Sequence, residues 1–414
     1  MKLLLQNIKQ LVQVREASCL FVAGEDMSTL PVLENAFLVA ENSIITHYGP
    51  AIDTPDASKF DMVIDCTGKL VLPTWCDSHT HLVFAGSREN EFRDRIEGYS
   101  YQDIAKRGGG ILNSVKRLRN TSEEQLYEDA ARRLEDLILK GTGAIEIKSG
   151  YGLETEAELK MLRVIKSLKN NYPVGIKATF LGAHAIPEEF KGNKHEYLKV
   201  VINEMLPKVK EQQLADFVDI FCEKGYFSVN DTLKLLDAAA LHNLPGKIHV
   251  NQFSISGGVK AACHLNAKSV DHLENLNRED LGALKKGDTI PVALPGCSFF
   301  LGIPYTPARI MIDEGLPLAI ASDYNPGSAP SGNMNFIVSL ACIKLKMTPE
   351  EAINAATLNG AFSMGLEKSH GSITKGKFAN LMITKNINNY NYIPYSFGNN
   401  CIEQVILRGV PVKK

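Results

Sequence analysis

The feature that most constrains this chain is a succession of eight strand-length apolar runs, each closed by a polar, ionisable or glycine-rich segment. The runs are KLVLPTWCDS, GAIEI, GIKATF, DFVDIF, GKIHV, KSVDH, DTIPVAL and LPLAIAS. The segments that close them are HTH (His79 to His81), KSGYG (Lys148 to Gly152), GAH (Gly182 to His184), CEK (Cys222 to Lys224), NQF (Asn251 to Phe253), LEN (Leu273 to Asn275), PGCS (Pro295 to Ser298) and DYNPGS (Asp323 to Ser328). Between the runs lie long amphipathic stretches such as Ser122 to Lys140 and Glu154 to Lys169, the first preceded by a capping signal at Thr121 and Glu124. Strands alternating with helices imply parallel βα units, and eight of them close a (β/α)8 barrel, which needs about 250 residues. The stretch from Lys69 to Leu366 has that scale.

The first seventy or so residues differ in kind, with short β-like runs (CLFVAG, NAFLVA, NSIITHYG, MVIDC) and no long helical period. GSITKGKFANLMITK and CIEQVILRGVPV return to this pattern after the barrel. The expected organisation is therefore α/β: a barrel over 69–366 and a small β domain assembled from 1–68 and 367–414.

Charge excludes some partners. Lys+Arg 45 against Asp+Glu 47 leaves a net −2, without the basic surplus or stripe of a nucleic-acid or anionic-membrane surface. The eight cysteines lack CxxC spacing and read as buried apolar side chains in a reducing compartment. MKLLLQNIKQLVQV is too short in its apolar run for a signal peptide, and no stretch approaches a membrane span of ~20 residues. A cytoplasmic enzyme or binding protein is expected.

The barrel mouth collects the chemistry. His79 and His81, one residue apart at a strand end, point to the same face and can chelate one ion. His249 ends the fifth run, His272 lies near the end of the sixth and Asp323 ends the eighth. Each alone is weak, because a strand-end Asp or His also serves as a loop cap; together they match a His/His/His/Asp mononuclear site with the remaining His beside an open position for water.

LPTWCDSHTHLVFAGSRENEF, GGGILNSV, IEIKSGYGL, FLGAHAIP, DIFCEKGYFS, SVDHLENL and SDYNPGS together resemble the imidazolonepropionase family of the amidohydrolase superfamily over nearly the whole chain. HTH with a late Asp is common to the superfamily; SREN-EF, KSGYGL, LGAHA-P and DYNPGS belong to the subgroup. The resemblance implies a (β/α)8 TIM barrel with a small β-sandwich formed by both termini. It also implies one zinc or iron ion, and hydrolysis of 4-imidazolone-5-propanoate to N-formimidoyl-L-glutamate in histidine breakdown. His79, His81, His249 and Asp323 would be the ligands, and His272 with Asp323 would move protons. Arg88, Tyr151, His184, Gln252 and Ser328 would hold substrate, with Asn325 and Gly327 against the product. A homodimer is the family's implied assembly.

The chain departs from that pattern at Pro73-Thr74, where Pro-Gly is usual, at Ala379-Asn380-Leu381, where Ala-Asp-Leu is usual, and at Gln252, where some relatives carry Glu. An amide cannot shuttle a proton, so His272 and Asp323 must. Other residues carry two readings each. Lys148 is a carbamylated bridging lysine or a structural cation; Tyr151 holds substrate or packs a loop. Gly108 to Gly110 form a lid or a tight helix entrance, since a phosphate loop would need GKS/T and a preceding strand. Glu223 and Glu274 orient ligands or are solvated. The competing functions are a deaminase of a purine, pyrimidine or related ring on the same metal constellation, disfavoured by Arg88 and DYNPGS, and a catalytically dead scaffold, disfavoured by the intact ligand set.

Overall fold

The computed structural model describes residues 1–99, 103 and 109–413. Among the described residues, sixteen strands form two separate sheets. The first contains β1 (Lys2–Val12), β2 (Val32–Glu41), β3 (Ile44–Pro50), β4 (Met62–Asp65) and β5 (Lys69–Pro73). The second contains β6 (Trp75–Thr80), β7 (Thr142–Lys148), β8 (Gly175–Ala183), β9 (Phe217–Cys222), β10 (Gly246–Val250), β11 (Ser269–His272), β12 (Ile290–Ala293) and β13 (Ala319–Ile320). The chain then returns to the first sheet with β14 (Leu381–Asn386), β15 (Ile402–Leu407) and β16 (Val410–Pro411).

The second sheet runs β6 to β13 in strict chain order, every pair parallel, with helices between successive strands. Its two ends meet just beyond β13, where Asp323 N–H donates to the His79 carbonyl (3.0 Å) and His81 N–H to the Tyr324 carbonyl (2.9 Å). Asp77 adds a side-chain clasp, accepting from Ser322 N–H at 2.9 Å and its hydroxyl at 2.5 Å. This is the expected barrel, and closure is what brings the first and eighth strand ends together.

The terminal sheet runs β16-β15-β14-β5-β1-β2-β3, with β4 also paired to β1. Strand β1 is buried on both faces: Leu3 and Leu5 pack with Leu38, Ile45 and Ile406, while Leu4 packs with Phe37 and Val39. The run KLVLPTWCDS, expected as one barrel strand, is two. Lys69–Pro73 finds its partners in β1 and β14, and Trp75–Thr80 pairs with β7. Thr74 makes the switch, its N–H donating to Asn380 (3.1 Å) while Trp75 N–H already donates to Gly141 in the barrel (2.9 Å). Thr74 therefore ties the barrel entrance to the Ala379-Asn380-Leu381 segment. Its side chain fills the space a Cβ on Gly143 would need, 2.1 Å from Oγ1.

The two long amphipathic segments form helices at Glu123–Leu139 and Thr155–Asn171. The first is capped one residue later than the sequence signal suggests, by Ser122, because Thr121 spends its hydroxyl on the Arg117 carbonyl (2.8 Å). Each helix buries one apolar stripe, such as Leu126, Ala130, Leu134 and Leu137, against the barrel.

Candidate metal centre and substrate pocket

Inside the barrel, residues of otherwise apolar strands place charge where it must be compensated. Lys148 donates to Glu146 (2.6 Å) and Asp219 (2.8 Å) and lies 3.5 Å from Asp271. Lys247 pairs with the other oxygen of Glu146. All five are fully buried. Unpaired, each would carry a desolvation cost of several kcal/mol, so the network has to be nearly complete to exist.

On this floor stand the histidines. His79 Nδ1 meets Asp271 at 2.6 Å and His249 Nδ1 meets Asp219 at 2.9 Å. Both rings therefore present Nε2 upward; His79 makes a true hydrogen bond to its carboxylate, the arrangement that fixes the tautomer of a ligating imidazole, while His249 has its carboxylate in close ion-pair contact. His79 Nε2 and His81 Nε2 lie 3.6 and 3.7 Å from Asp323 Oδ1, and His249 Nε2 lies 3.4 Å from His81 Nε2. Among the described residues His79 Nε2, which is buried, has no hydrogen-bond partner. An orphaned imidazole nitrogen facing a carboxylate and two further nitrogens is a donor set that could hold a divalent cation. Burial drives His79 and His81 well below the usual histidine range, leaving the neutral rings that ligation requires. The buried carboxylates Glu146, Asp219, Asp271, Glu274 and Asp323 outnumber the buried ammonium groups Lys148 and Lys247, an excess of negative charge that a cation would offset.

His272 stands apart by its partners. Its Nδ1 faces Glu274 at 3.3 Å, its carbonyl accepts from Thr306 at 2.6 Å, and its backbone is left-handed (φ +85°). Burial opposes its protonation, but Glu274, Asp323 and Asp271 outweigh it and raise the pKa. Asp323 is raised too, chiefly by burial, against the nearby His272 and His249. Asp323 also sits at φ +54°, the left-handed region that Asp adopts more readily than most side chains.

Above the cluster opens a cavity of about 560 Å3. His81, His249, His272 and Asp323 form its floor, and Arg88, Tyr151, His184, Gln252, Asn325, Gly327 and Ser328 line its walls. His184 stacks on His81 (centroids 5.1 Å, 15° apart), and its Nδ1 faces the Gly150 carbonyl at 3.0 Å, leaving Nε2 as an acceptor. Burial pulls its pKa to about 3. Burial pushes the Tyr151 phenol up, so it remains a donor. Asn325 holds its loop through contacts with Gly327 N–H and Ser328 N–H, both 2.8 Å.

Arg88 does two things at once. It ion-pairs with Glu91, Nε to Oε2 at 2.9 Å, and it reaches the cavity wall beside Gly327. A Cβ on Gly327 would lie 2.2 Å from Arg88 Nη1, which explains a glycine there. The other oxygen of Glu91 accepts from Gly110 N–H (3.0 Å), and Gly110 opens the helix Ile111–Arg119. A tight helix entrance thus describes Gly110; Gly108 lies outside the described residues.

The geometry decides between the paired readings, for Lys148 in favour of the one the sequence preferred. Lys148 is a structural cation: its carboxylate partners outweigh burial and raise its pKa, so the neutral amine that carbamylation needs is suppressed. Glu223 serves the loop after β10, accepting from Phe253 N–H (3.0 Å) and Ser254 N–H (3.3 Å) rather than orienting an imidazole. Glu274 does face His272. The residues that orient His79 and His249 are Asp271 and Asp219, which sequence reasoning missed; a lone Asp inside SVDH and FVDIF was the available signal. Arg95 was missed as well, although it lines the cavity and donates to the Gly327 carbonyl at 3.1 Å.

The profile of the amidohydrolase family matches residues 70–412. The imidazolonepropionase of Christiangramia forsetii is 60% identical over 409 residues, 99% of each chain. That of Flavobacterium johnsoniae is 59% identical over 406 residues, 98% of each chain. Among solved structures, the guanine deaminase of C. acetobutylicum with guanine in its active site superposes with a TM-score of 0.72 at 14% identity, covering 100% of both chains. That last likeness is one of fold.

Proposed function

Because the chain belongs to the imidazolonepropionase family of amidohydrolases, we propose that it hydrolyses the cyclic amide of 4-imidazolone-5-propanoate to N-formimidoyl-L-glutamate in histidine breakdown. The observation that carries the chemistry is the convergence of three imidazole nitrogens and the Asp323 carboxylate beneath a cavity whose wall holds Arg88.

His79, His81, His249 and Asp323 would hold the ion, zinc or iron, since imidazole and carboxylate donors accept both. When bound, it polarises the ring carbonyl and makes hydroxide available near neutral pH. His272, with Nδ1–H directed to Glu274, has a lone pair on Nε2 to take the proton of the attacking water. Asp323 would take the remaining proton of the attacking oxygen and pass it to the ring nitrogen as the bond from that nitrogen to the carbonyl carbon breaks, while His272 releases its own proton to solvent, so the ring opens to a carboxylate and a neutral formimidoyl nitrogen. Tyr151, His184, Gln252 and Ser328 orient the ring, Arg88 receives the propionate, and Asn325 and Gly327 lie against the product. Gln252 donates and accepts hydrogen bonds but moves no proton.

The deciding assay mixes purified protein with freshly generated imidazolonepropionate and follows the loss of its ultraviolet absorbance. Metal-dependent decay with formation of N-formimidoyl-L-glutamate is expected. Decay no faster than the spontaneous rate, in protein containing one ion per chain, would overturn the substrate assignment.

Among the described residues no helix is long and apolar enough to cross a membrane. Cytoplasmic location, a homodimer and the division at residues 68 and 366 belong to the same proposal. The terminal sheet extends past the first of those boundaries through β5.

A further inference from the structure

We propose that His272, Cys297 and Asp323 form a second, inhibitory site for a thiophilic divalent cation, Cd2+ or excess Zn2+. This rests on the reading above in one respect: that His79, His81, His249 and Asp323 hold the catalytic ion.

Cys297 lies at the start of the short helix Pro295–Leu301, immediately after β12, and is fully buried. One donor atom from each of His272, Cys297 and Asp323 falls within 4.8 Å of the others. A tetrahedral ion with bonds of about 2.0 to 2.3 Å needs donors roughly 3.3 to 3.8 Å apart, so small side-chain rotations bring the three together. Gln252 Nε2 already donates to the Cys297 sulfur at 3.3 Å, which marks the sulfur as an acceptor facing the site. Glu274 supplies further negative charge: Oε1 faces His272 Nδ1 and Ser298 Oγ, each at 3.3 Å, and its buried Oε2 has no hydrogen-bond partner among the described residues.

The chemistry selects the cation. One sulfur, one imidazole nitrogen and one carboxylate oxygen favour Cd2+ and Zn2+ over Mg2+ or Ca2+. As the metal–sulfur bond forms, the thiol proton leaves to solvent, and no electron moves. Asp323 can serve both ions, because a carboxylate bridges cations about 3.5 to 4 Å apart. The open cavity reaches His272 and Asp323, which provides the path of entry. Occupation ties up the His272 lone pair that must accept the water proton, so binding and loss of turnover go together.

The test uses holoenzyme loaded with one equivalent of metal and titrated with Cd2+. Cadmium content after dialysis, the near-ultraviolet thiolate-to-cadmium band and turnover are read on the same samples. A second equivalent, the band and the loss of turnover should rise in parallel, whereas Mg2+ should produce none of them. Cys297→Ser should retain the first equivalent, lose that increment of the band, and need at least about tenfold more Cd2+ for the second, because removing even an indirect partner of a metal site costs about 10- to 100-fold. Cadmium NMR of the wild-type protein reports sulfur ligation without relying on the variant. A second equivalent bound without sulfur, or equally tightly by Cys297→Ser, overturns the proposal. Failure to hold even the first equivalent would instead refute the catalytic metal assignment.

Discussion

Replacing Arg88 tests how this pocket would read a carboxylate. The guanidinium side chain is 9% exposed, and Nε is committed to Glu91 at 2.9 Å, so its position is set before any ligand arrives. That preorganisation suits a planar fork facing a carboxylate, which a lysine ammonium cannot reproduce. Removing one partner of a shielded, charge-assisted pair costs on the order of 2 to 5 kcal/mol, a fall in kcat/KM of roughly 30-fold to several thousand-fold. Arg88→Lys should recover little of it. Arg88→Ala also strips Glu91 of its cation, leaving that carboxylate with the Gly110 N–H, so part of any loss will be loop disorder rather than recognition. The assay separates the two by following absorbance loss for imidazolonepropionate and for an analogue without the carboxylate. Arg88→Ala should impair the first strongly and the second little. Gly327→Ala should give a weaker version of the same pattern, since its Cβ would displace Nη1 from 2.2 Å. Equal losses on both substrates would refute a carboxylate-reading role and make Arg88 a support for its loop.

His79→Ala/His81→Ala, which removes two imidazoles from a four-ligand set, should abolish metal retention as measured by elemental analysis; full stoichiometry with activity would sink the ligand assignment. His272→Ala should keep its metal while kcat falls about 10²-fold or more, the scale of a general acid–base group; metal loss in that variant would show His272 to be a ligand. Away from the site, burial lowers the His370 pKa from 6.5 to about 4. Between those values the unfolded chain binds the proton that the folded chain refuses, so stability falls as pH drops through the window, by on the order of 3 kcal/mol in total. Denaturant unfolding of His370→Gln should show a flatter slope from pH 6.5 to 4, and parallel curves for variant and wild type would contradict the assignment.

Much of the fold was legible because the barrel repeats one local rule eight times. Apolar runs bounded by polar strand ends report βα units without any long-range information, and HTH reports a chelating pair because strand periodicity alone sets its geometry. Motif resemblance then pointed to Arg88, Tyr151, His184 and the DYNPGS loop, all of which line the cavity. The break at Thr74 was not legible. Both halves of KLVLPTWCDS are equally apolar, and only the partners available on each side assign them to different sheets.

The sequence by itself determined the number and order of the barrel strands and the residue types at their mouths, since these follow from hydrophobic patterning over a few residues. Only the tertiary structure decided which acids orient the imidazoles and which brace the scaffold. Asp219 and Asp271 lie far along the chain from His79 and look like strand residues, whereas Glu223 and Asp77 sit beside functional motifs yet serve a loop and the barrel closure. It likewise decided that Lys148 is a locked ammonium, because that depends on Glu146, Asp219 and Asp271 converging from three strands. The physical reason is that a buried charge takes its character from whatever closes around it in three dimensions, and closure of a barrel is a property of all eight strands together.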